Sequence, residues 1–489
     1  MVEISPIEQP TEQWSYNLGA KLYTPETLFE ERIENRWIVF APDYEGLPVL
    51  LSERLYGLLN QFRDGAIVGD VIADDGDLVS ALSATDLLVE RGFLRETPAR
   101  LPYPPPRPAP APKNFSVWLH ITNSCNLKCG YCFVGEKTAD SMVEDVMEKV
   151  AADLAHTARL HGSERVDIKF AGGEPTPFVA KMERFRNLLL GELEGSGVAA
   201  HFSILSNGTI LNERLLRFLK LPESSLSISL DGYGVSHDRH RVFASGKGSW
   251  ALISRNIESF IEHGIRPYIM ATISQETCQT LPELVTWIYE HRLRCRLSVV
   301  RQPHNSWSPL IQIGGSNNLV MSREREYEVM NAALANAFDR AFTVLEDPSV
   351  FIDLRTGIDL CELYFERPTH GAPCGIGHNH LIIKPDASMV SCPMTVAEDG
   401  IFSDGDLLET AHKTFAYSPS DRHVAEDDCL HCKWYGVCSG GCPITNLRIK
   451  GHAFTRSPLC SFYKSVIPRY LRFFGKKLLQ AEQMAGPVN

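Results

Sequence analysis

The sequence lacks any apolar run near the roughly 18 residues that a membrane-spanning helix needs, so no membrane association is expected. Its opening, MVEISPIEQPTEQWSYN, lacks the basic flank and apolar stretch of a secretory signal, and the expected setting is the cytoplasm. Positive charge is also scarce: 48 Lys+Arg stand against 60 Asp+Glu, a net charge of −12. That excess of acid argues against a general nucleic-acid binder, so no nucleic-acid partner is expected. No solenoid-type repeat is visible. Apolar residues, by contrast, are plentiful at 44%, with 22% charged, so the chain can bury sizeable cores. A length of 489 residues accommodates about two to four domains.

Cysteine is in excess, with 13 in the chain. A disulfide scaffold would be small and secreted, and this chain reads as neither. In a reducing compartment, clustered thiols bind metal or carry out redox chemistry. Their spacing decides which.

Along the chain, residues 21–97 read as a small α+β unit behind a polar start. Arg36–Phe40 and Leu47–Leu50 have the look of short strands. Glu53–Phe62 reads as a helix with Leu55, Leu58 and Leu59 on one face, and Leu78–Leu94 as a second. Eight prolines then fall within the sixteen residues Thr97–Pro112. Such a stretch cannot supply ladder hydrogen bonds, extends as polyproline II and marks a semi-rigid linker. The domains so expected are 1–97, a linker 98–113, a core 114–345 and a cysteine-rich region with a C-terminal helix, 346–489.

Within the core, apolar runs alternate with helical ones. Phe115–Ile121, Val166–Phe170, Ala199–Leu205, Leu226–Leu230 and Pro267–Ile273 read as strands. Met142–Leu160, Val179–Leu193, Glu213–Leu219, Ala251–Glu262 and Leu281–His291 read as helices, and 322–343 as one more. Strand–helix alternation implies an α/β fold with a parallel sheet. Five or six such units suggest a partial, TIM-like (β/α)6 barrel, with active groups at the strand C-terminal ends.

Directly after the first of these strands comes Cys125-Asn-Leu-Lys-Cys129-Gly-Tyr-Cys132-Phe133. Three thiolates on one tight loop can hold three irons of a [4Fe–4S] cube and leave the fourth open. Zinc fits less well, because its structural sites use four ligands in paired knuckles. Later, Cys429-Leu-His-Cys432 leads to Cys438 and Cys442, with Cys374 and Cys392 upstream and Cys460 downstream. A zinc ribbon does not use seven or eight cysteines in this order. Cys278 and Cys295 fall inside helical or strand stretches and read as packing residues.

The first group, including the aromatic Phe133, resembles the cluster motif of radical S-adenosylmethionine (SAM) enzymes. The resemblance continues in Gly172-Gly-Glu-Pro175, Ser206-Asn-Gly-Thr209, Ser229-Leu-Asp-Gly232, His237–Arg241 and Gly246–Ser249, covering roughly 115–300. It implies that the methionyl group chelates the open iron and that one electron from the cluster yields a 5′-deoxyadenosyl radical. By that resemblance, Gly172 and Gly173 let the backbone approach the methionyl amine, and Glu174 accepts a hydrogen bond from it. Ser206 and Asn207 sit where the family contacts the ribose, and Arg241 is a partner for the methionyl carboxylate. Arg241 is read equally as half of a surface salt bridge, and Asp231 as a turn residue before Gly232. Asp231, His237 and His370 are possible general bases, with nothing in the sequence to choose among them.

The later cysteines resemble the SPASM extension of that superfamily, which carries two auxiliary clusters. Carried over, Cys429, Cys432, Cys438 and Cys460 hold one, and Cys374, Cys392 and Cys442 the other. Cys361 is either its fourth ligand or a buried free thiol. The implied cofactors are therefore three [4Fe–4S] clusters and SAM. Where the family has Gly five residues before the ligand at 392, this chain has Ala387, a poorer fit to a turn of positive φ. The front unit resembles the winged-helix-like element that adds a leader peptide as a strand to its sheet edge. A DNA-reading winged helix fits less well, given the acidic loop Ala73–Asp77 and the net charge. Together these imply a peptide maturase that installs a thioether or carbon–carbon cross-link in a ribosomal precursor peptide, drawing electrons from a flavodoxin- or ferredoxin-type donor. The alternatives are a maturase that oxidises Cys or Ser in a folded enzyme, as sulfatase-maturing relatives do, and a non-catalytic iron–sulfur electron carrier.

Overall fold

The computed structural model describes residues 17–44, 46–73, 77–97, 113–301, 323–350, 358–360, 363, 365, 374–415, 429–453 and 455–485. The linker expected at 98–113 lies outside these residues except for Lys113, and so do Cys361, His370 and most of the acidic loop at 73–77.

The front unit pairs β1 (Lys21–Leu22) with β5 (Ala66–Ile67) and builds a three-stranded antiparallel sheet from β2 (Phe29–Ile33), β3 (Arg36–Phe40) and β4 (Val49–Ser52). Helices α1 (Glu53–Asn60), α2 (Val68–Ala73) and α3 (Leu78–Glu90) cover one face. Helix α1 starts where it does because the Ser52 hydroxyl accepts the Leu55 N–H at 3.3 Å, a side-chain N-cap. Period-two alternation sorts β3: Val39 joins the helix-side core of this unit, while Ile38 and Phe40 join the main core on the opposite face.

Six strands, β6 (Asn114–Thr122), β7 (Arg165–Gly172), β8 (Ala199–Ser206), β9 (Ser224–Ser229), β10 (Tyr268–Ile273) and β11 (Arg294–Val299), pair in parallel in chain order. Between and after them run α4 (Glu144–Leu160), α5 (Val179–Leu193), α6 (Glu213–Leu219), α7 (Trp250–Glu262), α8 (Leu281–Glu290) and α9 (Arg323–Leu345). This is the expected partial (β/α)6 barrel, with a sixth strand where only five had been delimited. Val166, Ile168 and Phe170 of β7 are fully buried, and Phe170 meets Phe185 of α5 edge-on at 6.0 Å. The alternate residues Asp167, Lys169 and Ala171 face the barrel lumen, as do Ser116, Trp118 and His120 on β6.

Two additions widen the sheet to nine strands. β12 (Ile358–Leu360) lies on β11, and β13 (His380–Ile383) lies parallel on β6, with β14 (Met389–Val390) antiparallel to it. The β13–β14 turn holds Ala387 at φ 69°, the left-handed conformation the sequence disfavoured there. Local bonds fix it: Lys384 N–H reaches Ser388 O at 2.8 Å, and Asp386 Oδ1 accepts the Ser388 N–H at 3.0 Å.

The cysteine-rich region carries the short helices α10 (Leu407–Phe415), α11 (Tyr435–Cys438) and α12 (Pro443–Lys450) before the long C-terminal α13 (Cys460–Ala485). Helix α13 packs on α9 and on the front sheet. Gly475 makes that approach possible, since a Cβ there would collide with Ile33 and Ile38. Phe29 of β2 meets Trp434, between Cys432 and Cys438, at a ring distance of 5.7 Å. The front unit is thus docked through its own apolar face. Cys278 and Cys295 are buried packing residues.

Candidate cluster and cofactor site

Parallel strands gather their C-terminal ends on one side, and this places the motifs together. The Cys125–Cys132 loop follows β6, Gly172–Pro175 ends β7, Ser206–Thr209 ends β8, and Asp231 follows β9. The loop is pinned from several directions. Lys128 N–H donates to Val242 O at 2.7 Å and Gly130 N–H to His240 O at 3.0 Å. Asn207 Nδ2 donates to Asn126 Oδ1 at 2.8 Å and lies 3.9 Å from Cys125 Sγ. Leu127 N–H points at the same sulfur at 3.4 Å. Both N–H groups are thus aimed at a sulfur that would ligate a cluster, orienting its side chain.

Gly172 and Gly173 lie against this loop. Gly172 has φ 134°, and a Cβ on either glycine would overlap the carbonyls of Thr122 or Ser124. Gly173 N–H bonds Thr122 O and Glu174 N–H bonds Ser124 O, each at 2.8 Å. Glu174 is buried at 1% exposure and its carboxylate is well occupied. Oε1 accepts from Thr176 Oγ1 (2.5 Å), Ser206 Oγ (2.8 Å) and Thr176 N–H (3.2 Å), and Oε2 from Asn207 N–H (2.7 Å). Burial raises its pKa while these donors oppose the rise. Glu174 therefore ties the end of β7 to that of β8. Ser206 and Asn207 spend much of their capacity in the same network, Asn207 Oδ1 accepting from Thr209 Oγ1 at 2.6 Å.

Arg241 is only 9% exposed, so the surface salt-bridge reading falls. Its Nη1 donates to the Tyr131 hydroxyl at 2.7 Å and lies 3.5 Å from Asp231 Oδ2, which accepts from that hydroxyl. Asp231 is fully buried and also accepts Thr272 N–H at 2.9 Å. It is a long-range anchor, and the turn reading is corrected. Tyr131, between Cys129 and Cys132, was not singled out from sequence. Its only signal was an aromatic inside the cysteine loop. Burial pushes the Cys129 thiol up, against the opposing charge of Arg241. His237 accepts Asp231 N–H at 3.2 Å and meets Ser249 Oγ at 3.1 Å, and burial holds its pKa well down. Phe133 leans on Trp118 (6.2 Å) and packs with Val134, Ile382 and Val390, toward the β13–β14 hairpin.

The later cysteines fall into two neighbourhoods. Cys438 is pushed up to about 12 by burial, with the charges of Cys429, Cys432 and Cys460 adding to it. Cys392 is likewise pushed to about 12 by burial with Cys442 beside it, and Cys374 is raised by burial with Cys442 and Cys392 beside it. Ile376, Met394 and Ile444 wrap this second set. Among the described residues, no three His, Cys, Asp or Glu converge as on a single metal ion. The donor sets are neighbouring thiols, suited to the spread corners of an iron–sulfur cube.

A partial parallel barrel with a three-thiol loop at its mouth and a second cysteine-rich region beside it defines an iron–sulfur protein with a cofactor site at the strand ends. The signature of the Radical SAM superfamily matches residues 119–288. Residues 119–288 therefore form a Radical SAM domain, followed in the chain by the cysteine-rich C-terminal region. The chain is 23% identical over 351 residues, 68% of this chain and 88% of the relative, to a cysteine-type anaerobic sulfatase-maturating enzyme of Clostridium novyi. With a serine-type anaerobic sulfatase-maturating enzyme of Klebsiella aerogenes it shares 20% over 339 residues, 66% of this chain and 78% of that one. In fold it is similar to native anSMEcpe with bound AdoMet and the Kp18Cys peptide, at TM-score 0.57 and 18% identity, covering 74% of this chain and 99% of that one. The domain implies a [4Fe–4S] cluster and SAM. Among the described residues no helix is long and apolar enough to cross a membrane.

Proposed function

We propose that this chain is a maturase that removes a hydrogen atom from a ribosomally made precursor peptide and closes an intramolecular thioether or carbon–carbon cross-link. Cys125, Cys129 and Cys132 would hold the cluster whose open iron takes SAM. When bound, that pair supplies a 5′-deoxyadenosyl radical. Cys429, Cys432, Cys438 and Cys460 would hold one auxiliary cluster, and Cys374, Cys392 and Cys442, with or without Cys361, the other; the electron left when the second hydrogen departs as a proton to solvent would pass to an auxiliary cluster. A flavodoxin- or ferredoxin-type protein would supply electrons.

The residues of the chain bind, orient and exclude water. Gly172 and Gly173 would bring backbone to the methionyl end of SAM, Ser206 and Asn207 would meet its ribose, and Arg241 would offer a guanidinium to its carboxylate. The buried anchor Asp231 fixes that guanidinium in place.

The observation that carries the choice of a leader-bearing peptide is the front sheet. Among the described residues β2 and β4 each pair only with β3, leaving two strand edges, and β2 touches the Cys429–Cys438 segment through Phe29 and Trp434. A leader added to such an edge would hold the core peptide near the clusters. The second reading, oxidation of Cys or Ser in a folded sulfatase, is supported by the names of the curated relatives. An electron carrier has no use for the glycine approach at 172–173.

The test is anaerobic turnover of the reduced, iron-loaded protein with a precursor peptide encoded beside its gene, followed by mass spectrometry. The expected product has lost about two hydrogens, and the same peptide without its leader is left unmodified. Equal processing of the leaderless peptide, or an aldehyde formed at Cys or Ser of a sulfatase fragment, overturns the cross-linking reading.

A further inference from the structure

The lumen of the barrel carries more donors than its neighbours can satisfy. Lys169 lies on the lumen face of β7, three residues before Gly172 and so about 10 Å below the strand ends. Its ammonium is half-buried and has no hydrogen bond or ion pair among the described residues. The acids around it are engaged elsewhere: Asp167 by Arg165 at 2.9 Å, and Asp359 by Arg296 at 3.5 Å. Trp118, the register partner of Lys169 on β6, has a buried indole N–H with no partner among the described residues.

Two further cationic or neutral nitrogen groups border the same space. Arg296 lies on the lumen face of β11. His380 on β13 bonds Ser116 at 2.7 Å. The charges of Lys169 and Arg296 both bear on His380, whose pKa is brought to about 4, chiefly by burial. They also bear on each other: burial together with Arg296 lowers the Lys169 pKa, against the opposing charge of Asp167. Nitrogen groups of three strands therefore meet in one space, and two of them, Lys169 and Arg296, are charged. An ammonium and an indole N–H side by side, both without a partner among the described residues, call for an acceptor, and the excess positive charge calls for an anion.

We infer that the lumen below the SAM site is a carboxylate-binding chamber, in which Lys169 and Trp118, with Arg296 nearby, receive an Asp or Glu side chain or the C-terminal carboxylate of the peptide being modified. This deepens the peptide-maturase reading and rests on it for the source of the carboxylate, but the anion site itself stands apart from that reading. It lies on a different level from Arg241, which is engaged with Tyr131 and Asp231 beyond the end of β9.

The test uses the iron-loaded, SAM-bound protein and two probes. The first is sodium acetate compared with sodium chloride at equal ionic strength. Acetate raises the melting temperature of the wild type, because a ligand of the folded state stabilises it. It does not do so for Lys169→Met, while Lys169→Arg keeps the response. Lys169→Met alone melts no lower than the wild type, since it removes a charge without a partner.

The second probe is a set of fluorescein-labelled Gly/Ala hexapeptides with a central Glu or Gln, each with a free or amidated C-terminus, read by anisotropy. A tenfold preference for Glu over Gln assigns the side chain, and one for free over amidated assigns the terminus. Lys169→Met abolishes whichever preference is found and leaves SAM affinity unchanged. No acetate effect, an acetate effect that survives Lys169→Met, or a loss of SAM affinity in that variant overturns the chamber. An acetate effect through Lys169 with no peptide preference keeps the anion site and overturns the peptide as its source. Cross-linking of the precursor with no acetate effect overturns the chamber and leaves the maturase reading standing.

Discussion

Arg241 Nη1 stands 3.5 Å from Asp231 Oδ2, with the Tyr131 hydroxyl accepting from the first and donating to the second. Both charges are buried, so neither can turn to water if the other is removed. Taking away one partner of a buried pair costs about 3–5 kcal/mol. Asp231→Asn is therefore expected to lower stability by about that much, and to weaken SAM binding by loosening the guanidinium. Combined with Arg241→Met, the loss should fall well short of the sum of the two single losses. Anaerobic denaturant titration of the four proteins checks this. Additive losses would show that the pair is not coupled.

Ala387 sits at φ 69° in the β13–β14 turn, five residues before Cys392. A left-handed non-glycine residue costs about 1–2 kcal/mol, and part of the relief from glycine is lost to a freer unfolded chain. Ala387→Gly should therefore stabilise the protein by about 0.5–1 kcal/mol, read as a higher denaturation midpoint. A lower midpoint would mean that the Lys384–Ser388 bonds carry the turn unaided.

Two buried histidines give the stability a sign in pH. His120 and His380 both have their pKa values brought to about 4, mainly by burial, against an unfolded value near 6.5. Below pH 6.5 the unfolded chain takes up these protons and the folded chain does not, so stability falls as pH drops from about 6.5 toward 4. Each histidine should contribute a loss of about 1.4 kcal/mol between pH 7.5 and 5.5. His380→Gln should flatten the profile over that interval, and an unchanged slope would place the titration elsewhere.

The barrel was legible because its strands keep their apolar residues on one side and its helices their 3.6-residue period. The sixth strand, Arg294–Val299, escaped because its lumen face is Arg294, Arg296 and Ser298, which reads as polar loop. In the front unit, β2 (FEERI) and α2 (VGDVIA) were missed for the acids of one and the glycine of the other. The cysteine groups were legible by spacing. What one sequence could not give were partnerships across the fold. Asp231 before Gly232 has the local signature of a turn, and only the approach of Tyr131 and Thr272 shows it to be an anchor. Lys169 inside an apolar run carries no local sign that its ammonium ends in the lumen with no ion pair among the described residues.

Gly475 of α13 marks where the front sheet meets the C-terminal helix, and a methyl there collides with Ile33 and Ile38. Overpacking of this kind costs about 1–3 kcal/mol. Gly475→Ala should therefore loosen the front unit while leaving the barrel intact. Hydrogen exchange should rise in β2 and β3 and stay unchanged in β6–β8. If exchange rose equally everywhere, the docked face would be part of one cooperative unit with the barrel.

The cysteine neighbourhoods make separable claims about iron. If the three sets each hold a cube, the reconstituted protein carries about twelve irons. Replacing Cys125, Cys129 and Cys132 with Ala should leave about eight and abolish SAM cleavage. Replacing Cys429, Cys432, Cys438 and Cys460 should also leave about eight but preserve reductive cleavage of SAM to 5′-deoxyadenosine while stopping peptide modification. Because Trp434 between those ligands packs on Phe29, the second variant should in addition expose the front sheet to exchange, whereas the first should not. Iron assay and chromatography of 5′-deoxyadenosine distinguish the two. Loss of SAM cleavage in the second variant, with its remaining iron intact, would mean that the later cysteines serve the first step as well as the last.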